Sequence, residues 1–334
     1  MLSRVAHAVY WIGRYIERAE NVARFAEVNQ YLTLDLPPGA GEQWEPLVDI
    51  TGDSALFHAT RGEAERENVL HFLAFDTEYP NSIASCVRMA RENARNVRDA
   101  ITLEMWEQIH HFHLLVQEAA QRHAGGMIPY DFFARARNAS HLIHGIAEDT
   151  MSHGETWQFM RLGRMIERAD KTARLLDVKY FILLPSVDEV GLPWDDLLWC
   201  AVLRSASALE MFRKRFGRVR PDRIIEFLLL DRHFPRSAQF CMERAQACLH
   251  AISGTPPGAF RTMPEQLLGQ VHARLSYARA EDIIVSGLHE TLDRLLGDLN
   301  AVHQGIHDAY FSPRPIIGSP ETPESPALQH QEEQ

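Results

Sequence analysis

Apolar residues recur along this chain at the spacing of amphipathic helices, and the strict alternation typical of strands is scarce. Pro- and Gly-rich stretches interrupt the periodicity at 34–43, 123–129, 184–193 and 253–260. The pattern therefore predicts an all-α protein. The predicted helices cover 3–34, 63–75, 82–100, 102–123, 130–153, 155–184, 194–216, 221–231, 236–252 and 264–309, the last of which could be broken.

One stretch of this pattern occurs twice, and the copies share charged residues as well as apolar ones. IGRYIERAENVAR at 12–24 returns as LGRMIERADKTAR at 162–174, with eight of the thirteen positions identical. We call these two stretches the Glu–Arg segments. Two further matches follow in the same order: Trp44-x-x-Leu47-Val48 with Trp194-x-x-Leu197-Leu198, and residues 72–90 with residues 227–245.

Three collinear matches predict a tandem duplication of a unit of about 150 residues. We expect unit one to cover 1–153 and unit two to cover 154–311. The two units should form a single domain, a helical bundle packed about a pseudo-twofold axis. Residues 312–334 are rich in Pro, Ser and Glu and are predicted to be a disordered tail.

The first Glu–Arg segment has an apolar face and an opposite face that mixes charged and aromatic side chains. Tyr10, Trp11 and Phe25 lie on the charged side, so neighbouring elements should cover the helix almost all round. Charges buried in this way have to be paired, because their desolvation is expensive. Gly13 and Gly163 lie mid-helix, where Gly costs about 1 kcal/mol relative to Ala. They indicate the close approach of another backbone or of a ligand.

Two interpretations of the charged residues remain open, separately or together. In the structural one, the two Glu–Arg segments face each other and each Glu pairs with arginines of the other segment. In the functional one, the same residues line a central cleft and hold a substrate's amine and carboxylate, with Glu17 and Glu167 as candidate catalytic acid and base. In the structural interpretation, Glu17 would pair with Arg168 or Arg164, and Glu167 would pair with Arg18 or Arg14.

A row of arginines lies on one face of the helix predicted at 82–100, and the second unit has no equivalent. The row could bind a phosphate or an acidic peptide. Alternatively, it is a solvated face relieved by Glu92 and Asp99. This arginine row consists of Arg88, Arg91, Arg95 and Arg98. A second basic cluster, at 213–223, could contact a partner's phosphates or cap helix C-termini.

Two matching turns carry helix-start signals. Ser82 and Ser237 each follow a Pro-x pair and are predicted to cap the next helix. Asp76 and Asp231 are expected to brace the same turns.

Composition narrows the function classes. The chain has 34 basic and 45 acidic residues, a formal charge of −11, which argues against nucleic-acid binding by the whole surface. No apolar run approaches the length of a membrane span, and the N-terminus lacks the pattern of a secretory leader. The four Cys residues have no zinc-type spacing and suit a reducing compartment. We therefore expect a cytoplasmic protein that does not bind membranes.

Motifs for cofactors are scarce. Glu107-x-x-His110 has the spacing of di-iron bundles, but the second unit has no matching pair. His303-x-x-x-His307 lacks the Glu of a zincin. No Walker loop, dinucleotide Gly motif or nucleophile elbow occurs. The sequence therefore predicts neither a metal nor a cofactor.

Residues 1–24, 72–99, 157–174 and 227–237 together resemble the bacterial alpha-E family of helical proteins, named for a Glu–Arg motif, over about 1–311. The resemblance implies a partner, because members of that family are encoded beside, or fused to, a circularly permuted ATP-grasp protein, often near a transglutaminase-like protease. ATP-grasp proteins commonly ligate a carboxylate to an amine. The family positions carried over by motif are Gly13, Arg14, Glu17, Arg18, Arg91, Glu92, Asn93, Arg95, Gly163, Arg164, Glu167 and Arg168.

The leading hypothesis is an accessory subunit that presents or recognises the peptide or amino-acid substrate of an ATP-grasp-type ligase. The alternatives are a stand-alone enzyme that uses Glu17 and Glu167 in a central cleft, and a metal-dependent oxidase. The sequence does not identify the substrate or the oligomeric state.

Overall fold

The computed structural model of the chain describes residues 1–35, 44–123, 128–182 and 193–312. These residues form fifteen α-helices and two π-helical turns, Glu226–Leu230 and His307–Phe311, without a strand. The all-α prediction is confirmed. The helices are α1 Ser3–Asp35, α2 Glu45–Thr51, α3 Ser54–Arg61, α4 Arg66–Ala74, α5 Ile83–Asn96, α6 Leu103–Arg122, α7 Tyr130–Thr150, α8 Glu155–Ile182, α9 Pro193–Ser205, α10 Leu209–Phe216, α11 Pro221–Ile225, α12 Ala238–Ser253, α13 Met263–Tyr277, α14 Ala280–Ser286 and α15 Leu288–Ile306.

The two longest helices, α1 and α8, carry the Glu–Arg segments and pack against each other at the centre. Helices α5 and α7 cover α1, while α12 and α15 cover α8. The shorter α2 packs on α8, and α9 packs on α1. Because neighbours cover both sides of α1, its charged residues are buried along with its apolar ones.

The central helices approach closely at their glycines. A Cβ on Gly13 would overlap the Met160 carbonyl oxygen, and one on Gly163 would overlap the Tyr10 carbonyl oxygen. Each glycine therefore faces the backbone of the opposite helix, which is the first of the two explanations expected for them. The absent side chains let the charged residues of α1 and α8 reach each other.

Several helix boundaries differ from the predicted ones. The helix expected at 194–216 is two helices, because Ser207 adopts a left-handed backbone with φ of 50°. The helix expected at 264–309 is divided into α13, α14 and α15, with Gly287 at φ of 97° between the last two. The short helices α2 and α3 were not predicted, since each has at most eight residues and ends at a glycine.

Some predictions lie outside the part of the chain that the structure describes. The disordered tail expected at 312–334 is outside it except for Ser312, and so is the Trp194 side chain. The division into two duplicated units stays a prediction. Within the described residues, every helix falls short of the length and apolarity needed to cross a bilayer.

Adding a methyl group at either central glycine should separate α1 from α8. We expect Gly13→Ala and Gly163→Ala each to lower the free energy of unfolding by about 2–3 kcal/mol or more, because the obstructing atoms are backbone oxygens that cannot move aside. Urea denaturation measures the change.

The matched controls are Gly145→Ala and Gly297→Ala. Both glycines lie inside helices with open space where the methyl group would go. These controls should stabilise the chain by up to about 1 kcal/mol. Equal effects at all four glycines would contradict the close approach of α1 and α8.

Candidate functional site

Glu17 is fully buried in α1 and is bonded by arginines from elsewhere in the fold. Arg168 of α8 donates two hydrogen bonds to it, from Nε to Oε1 at 2.7 Å and from Nη2 to Oε2 at 2.8 Å. Arg236, in the turn before α12, donates from Nη1 to Oε1 at 3.1 Å. Bidentate guanidinium–carboxylate pairs are among the strongest hydrogen-bonded ion pairs in proteins.

Glu167 is equally buried in α8 and is bonded by two arginines of α1. Arg18 donates from Nε to Oε1 at 2.7 Å and from Nη2 to Oε2 at 2.9 Å. Arg14 donates from Nε to Oε2 at 2.8 Å. Each Glu–Arg segment thus supplies at least one arginine that bonds the glutamate of the other, which is the arrangement that the structural interpretation expects.

Both glutamates are ionised. Burial alone would raise the pKa of Glu17, but Arg168 and Arg236 outweigh it and hold that pKa well below its ordinary value. Burial likewise opposes the ionisation of Glu167, whereas Arg18 and Arg14 hold its pKa well below normal. Such carboxylates have no proton to donate near neutral pH and have little capacity to accept one. They are therefore poorly suited to act as a general acid or a general base.

A third buried carboxylate, Glu20, extends the network toward α7. Arg24 pairs with it from the next turn of α1, Arg236 donates from Nη2 at 2.9 Å, and His141 lies at 3.1 Å. Burial opposes its ionisation, but Arg236 and Arg24 bring the pKa of Glu20 down to about 2. Arg24 also donates to Ser207 Oγ at 2.8 Å, which links the network to the break between α9 and α10.

Sequence reasoning missed Arg236 and its counterpart Asn81. Both occupy the middle position of the repeated Pro-x-Ser turn, which was considered only for helix capping. Asn81 accepts a hydrogen bond from Arg18 Nη1, while Arg236 donates to Glu17 and Glu20. The difference between these residues within a matching turn was the available signal.

The turns that hold Asn81 and Arg236 are fixed by the expected capping residues. Ser82 Oγ accepts from Ser85 N at 3.0 Å, and Ser237 Oγ accepts from Phe240 N at 3.0 Å. The aspartates act on the turn backbones: Asp76 Oδ1 accepts from Glu78 N at 2.9 Å, and Asp231 Oδ1 accepts from His233 N and Phe234 N at 2.7 Å.

Arg164 has an environment unlike that of Arg14, although the two match in the Glu–Arg segments. Arg164 makes no ion pair or hydrogen bond with any described side chain, and its Nε is buried without an acceptor. Of the two arginines offered as partners of Glu17, only Arg168 bonds it, and Arg236 is the second arginine there. Burial and the neighbouring Arg168 lower the pKa of Arg164 to about 10.

Three arginines of the row, Arg88, Arg91 and Arg95, lie on α5, whereas Arg98 follows the end of that helix at Asn96. Arg91 bonds Glu92 at 2.7 Å and His110 Nδ1 at 3.1 Å, and Arg95 also pairs with Glu92 at 2.7 Å. Arg98 lies over the Trp106 ring at 4.8 Å, and Arg88 is exposed. Among the described residues, no ion pair joins this row to the Glu–Arg segments.

Metal-ligating residues are dispersed. The described part of the chain holds no group of three or more His, Cys, Asp or Glu side chains arranged around a common point. His110 Nδ1 accepts a hydrogen bond from Arg91 Nε, and the His110 ring stacks on Trp106 at 5.8 Å. All four cysteines are free thiols.

Comparison with known proteins identifies relatives of the whole bundle. The Alpha-E family model, described as a predicted alpha-helical domain with a conserved ER motif, matches residues 1–311. An uncharacterised protein of Mycobacterium bovis and two of Mycobacterium tuberculosis are each 24% identical to this chain over 327 residues. The match covers 91% of this chain but only 36% of each relative. No solved structure matches the chain significantly.

Neutralising one buried glutamate should test the network. We expect Glu17→Gln to lower the free energy of unfolding by about 3 kcal/mol or more, because Arg168 would then lose its countercharge and Arg236 would keep only Glu20. Denaturant titration measures the effect. The control Glu92→Gln, which changes a surface carboxylate that is also bonded by two arginines, should stay within about 1 kcal/mol of the parent. Similar losses in both variants would contradict the proposed importance of burial.

A buried histidine gives the fold a pH dependence of defined sign. His144 lies 3.4 Å from Glu17, yet burial lowers its pKa from 6.5 to about 4. Between these values the unfolded chain binds a proton that the folded chain does not. The free energy of unfolding should therefore fall as the pH drops from 6.5 to 4, by up to about 1.4 kcal/mol per pH unit from this residue.

Removing that histidine separates its contribution from others. His303 has a pKa lowered to about 4 by burial and Arg14, so it adds a slope of the same sign. His144→Gln should flatten the pH dependence, and the double variant with His303→Gln should flatten it further. An unchanged slope in His144→Gln, measured by denaturation across this pH range, would contradict the assignment.

Proposed function

This chain belongs to the Alpha-E family, and from that premise we propose that it is an accessory subunit of an ATP-grasp-type peptide or amide ligase system. In this role it binds an acidic or peptide ligand and presents it to the ligase. The partner is a circularly permuted ATP-grasp protein, with a transglutaminase-like protease as a further candidate. The subunit acts in the cytoplasm, where ATP is available to the ligase.

The observation that carries the proposal is the length of the relatives. This chain aligns over 91% of its own length with 36% of each mycobacterial protein. In those relatives the matching region is therefore one part of a longer polypeptide. A bundle that is covalently joined to other polypeptide in its relatives is well suited to work beside a separate partner here.

The buried network supports a non-catalytic role. Glu17 and Glu167 are fully buried, ionised and bonded by arginines, so neither is available for proton transfer with a substrate. The sequence also lacks a nucleotide-binding motif, so ATP chemistry in this proposal belongs to the partner.

The proposal includes an ancestral duplication of the unit. Reciprocal contacts support it: α5 and α7 cover α1 as α12 and α15 cover α8, and α2 and α9 each pack on the opposite central helix. The exchanged Glu–Arg pairs between α1 and α8 have the same reciprocity. A pseudo-twofold arrangement of two related units accounts for both observations.

The experiment pairs this chain with the ATP-grasp protein encoded by the same genome. We expect the two proteins to copurify when coexpressed, and the ligase to hydrolyse ATP faster in the presence of this chain and an acidic peptide. Addition of the chain with Gly13→Ala, which disrupts the bundle, should give a smaller increase.

A separate arm tests the rival enzyme. If the purified chain alone turned over a peptide or amide substrate, and Glu17→Gln abolished that turnover without unfolding the chain, the rival would be correct. Failure to copurify, together with unchanged ATP turnover, would contradict the accessory role.

A further inference from the structure

Arg161 and Arg164 lie one turn apart on α8 and face a small cleft between α7 and α8. The open space within it is about 10 Å³, close to that of one water molecule. Its lining residues are His144, Ala147 and Glu148 from α7 and Trp157, Met160, Arg161 and Arg164 from α8. This space is far below that of typical small-molecule sites, so the cleft admits at most one oxygen of a ligand's terminal group and not a whole cofactor.

Both arginines in this cleft lack an acceptor. The Nε atoms of Arg161 and Arg164 are buried and have no hydrogen-bond partner among the described residues. Arg161 lies over the Trp157 ring at 4.7 Å, which places its guanidinium but does not neutralise it. The two side chains are only partly buried, but an N–H donor that is buried without an acceptor costs about 1–3 kcal/mol, so an anion that bonds these atoms would be stabilised.

Nearby charges leave an excess of positive charge. Glu148 lines the cleft but forms no ion pair with either arginine in this structure. His144 is neutral near pH 7, since burial lowers its pKa to about 4. Arg244 adds positive charge nearby. Burial raises the pKa of the Cys248 thiol to about 11, and the charges of Arg161, Arg164 and Arg244 act on that pKa in the opposite direction.

At the matching position on α1, neighbouring side chains pair with the arginine and cover it. Arg14 pairs with Glu167 and lies over the Trp11 ring at 5.1 Å. Aromatic side chains near the end of the described chain pack there, with His303 stacked on Tyr10 at 5.6 Å and Phe311 at 5.3 Å from Tyr10. At the α7–α8 cleft, no glutamate of the described residues bonds Arg164 in this way.

We infer that Arg161 and Arg164 form a binding site for a single oxyanion group, the carboxylate or the phosphate of a ligand. Guanidinium groups match either anion through paired N–H donors. Trp157 and Met160 supply an apolar wall for the carbon atoms next to that group. The inference rests on the proposed function for the ligand's role in ligation. It adds to that function a binding site for the acidic ligand on this subunit.

The test measures thermal unfolding of the full chain alone with acetate, inorganic phosphate, and a short peptide with a free or an amidated C-terminus. Sodium chloride at equal ionic strength is the reference. We expect at least one oxyanion to raise Tm by roughly 2 °C or more at saturation. A response to acetate and the free-acid peptide identifies a carboxylate site, and a response to phosphate alone identifies a phosphate site.

Variants locate the response. Arg164→Met should abolish it, because the variant removes one of the two buried donors that lack an acceptor. Arg161→Gln is the second variant, should Arg164→Met fail to fold, and it should weaken the response at least tenfold in midpoint concentration. Glu148→Gln should strengthen the response by removing a competing carboxylate. The exposed control Arg122→Gln should leave it unchanged.

Two results would overturn the inference: no oxyanion raises Tm above the chloride reference, or Arg161→Gln and Arg164→Met respond like the parent. Neither result bears on copurification with the ATP-grasp protein. Loss of copurification would likewise leave an anion response of the chain alone intact, so the two failures are distinguishable.

Discussion

The exchange of glutamate–arginine pairs between α1 and α8 is the interaction on which the other central contacts depend. Glu17 and Glu167 are each buried completely, and each is neutralised by arginines that its own helix does not supply. A buried ion pair adds little net stability over apolar packing, but a pair that loses one partner leaves a strongly unfavourable charge. Any sliding of α1 along α8 would unpair both glutamates at once. The network therefore fixes the register of the two helices. Gly13 and Gly163 permit that register because they let the two backbones come into contact.

The two ends of this network differ in a way that redistributes charge. At Glu167, both arginines of the first Glu–Arg segment are used. At Glu17, Arg236 enters from the turn before α12 and joins Arg168, so Arg164 is left without a carboxylate partner. A single difference in the Pro-x-Ser turns, Asn81 against Arg236, thus accounts for an unpaired arginine on one side of the bundle. The difference between the two ends of the network thus begins among buried residues and leaves Arg164 unpaired at the α7–α8 cleft.

Much of the fold was predictable from sequence because its signals are local. Helical periodicity located the long helices, and the repeated Glu–Arg segments indicated which of them carry buried charge. The break at Ser207 was not predicted, and the break considered possible within 264–309 was not located, since apolar periodicity continues across both positions. Arg236 was missed for a different reason: it acts 219 residues away from Glu17, and nothing in a short window links the two. A helical wheel shows which side chains share one face of a helix. The partner of a buried charge is determined by tertiary packing, which the wheel does not contain.

The position of the charges also bears on where this protein recognises other molecules. Arginines bonded to buried glutamates are unavailable to a ligand unless the ligand replaces a carboxylate and the helices separate, which the close glycine contact opposes. Recognition must then involve groups whose charge is not already balanced inside the fold. Arg161 and Arg164 satisfy that condition at the α7–α8 cleft, whereas Arg91 and Arg95 of the arginine row share Glu92. In the accessory role that we propose, the paired charges fix the packing of the bundle, and the unpaired ones would hold the ligand that the partner acts on.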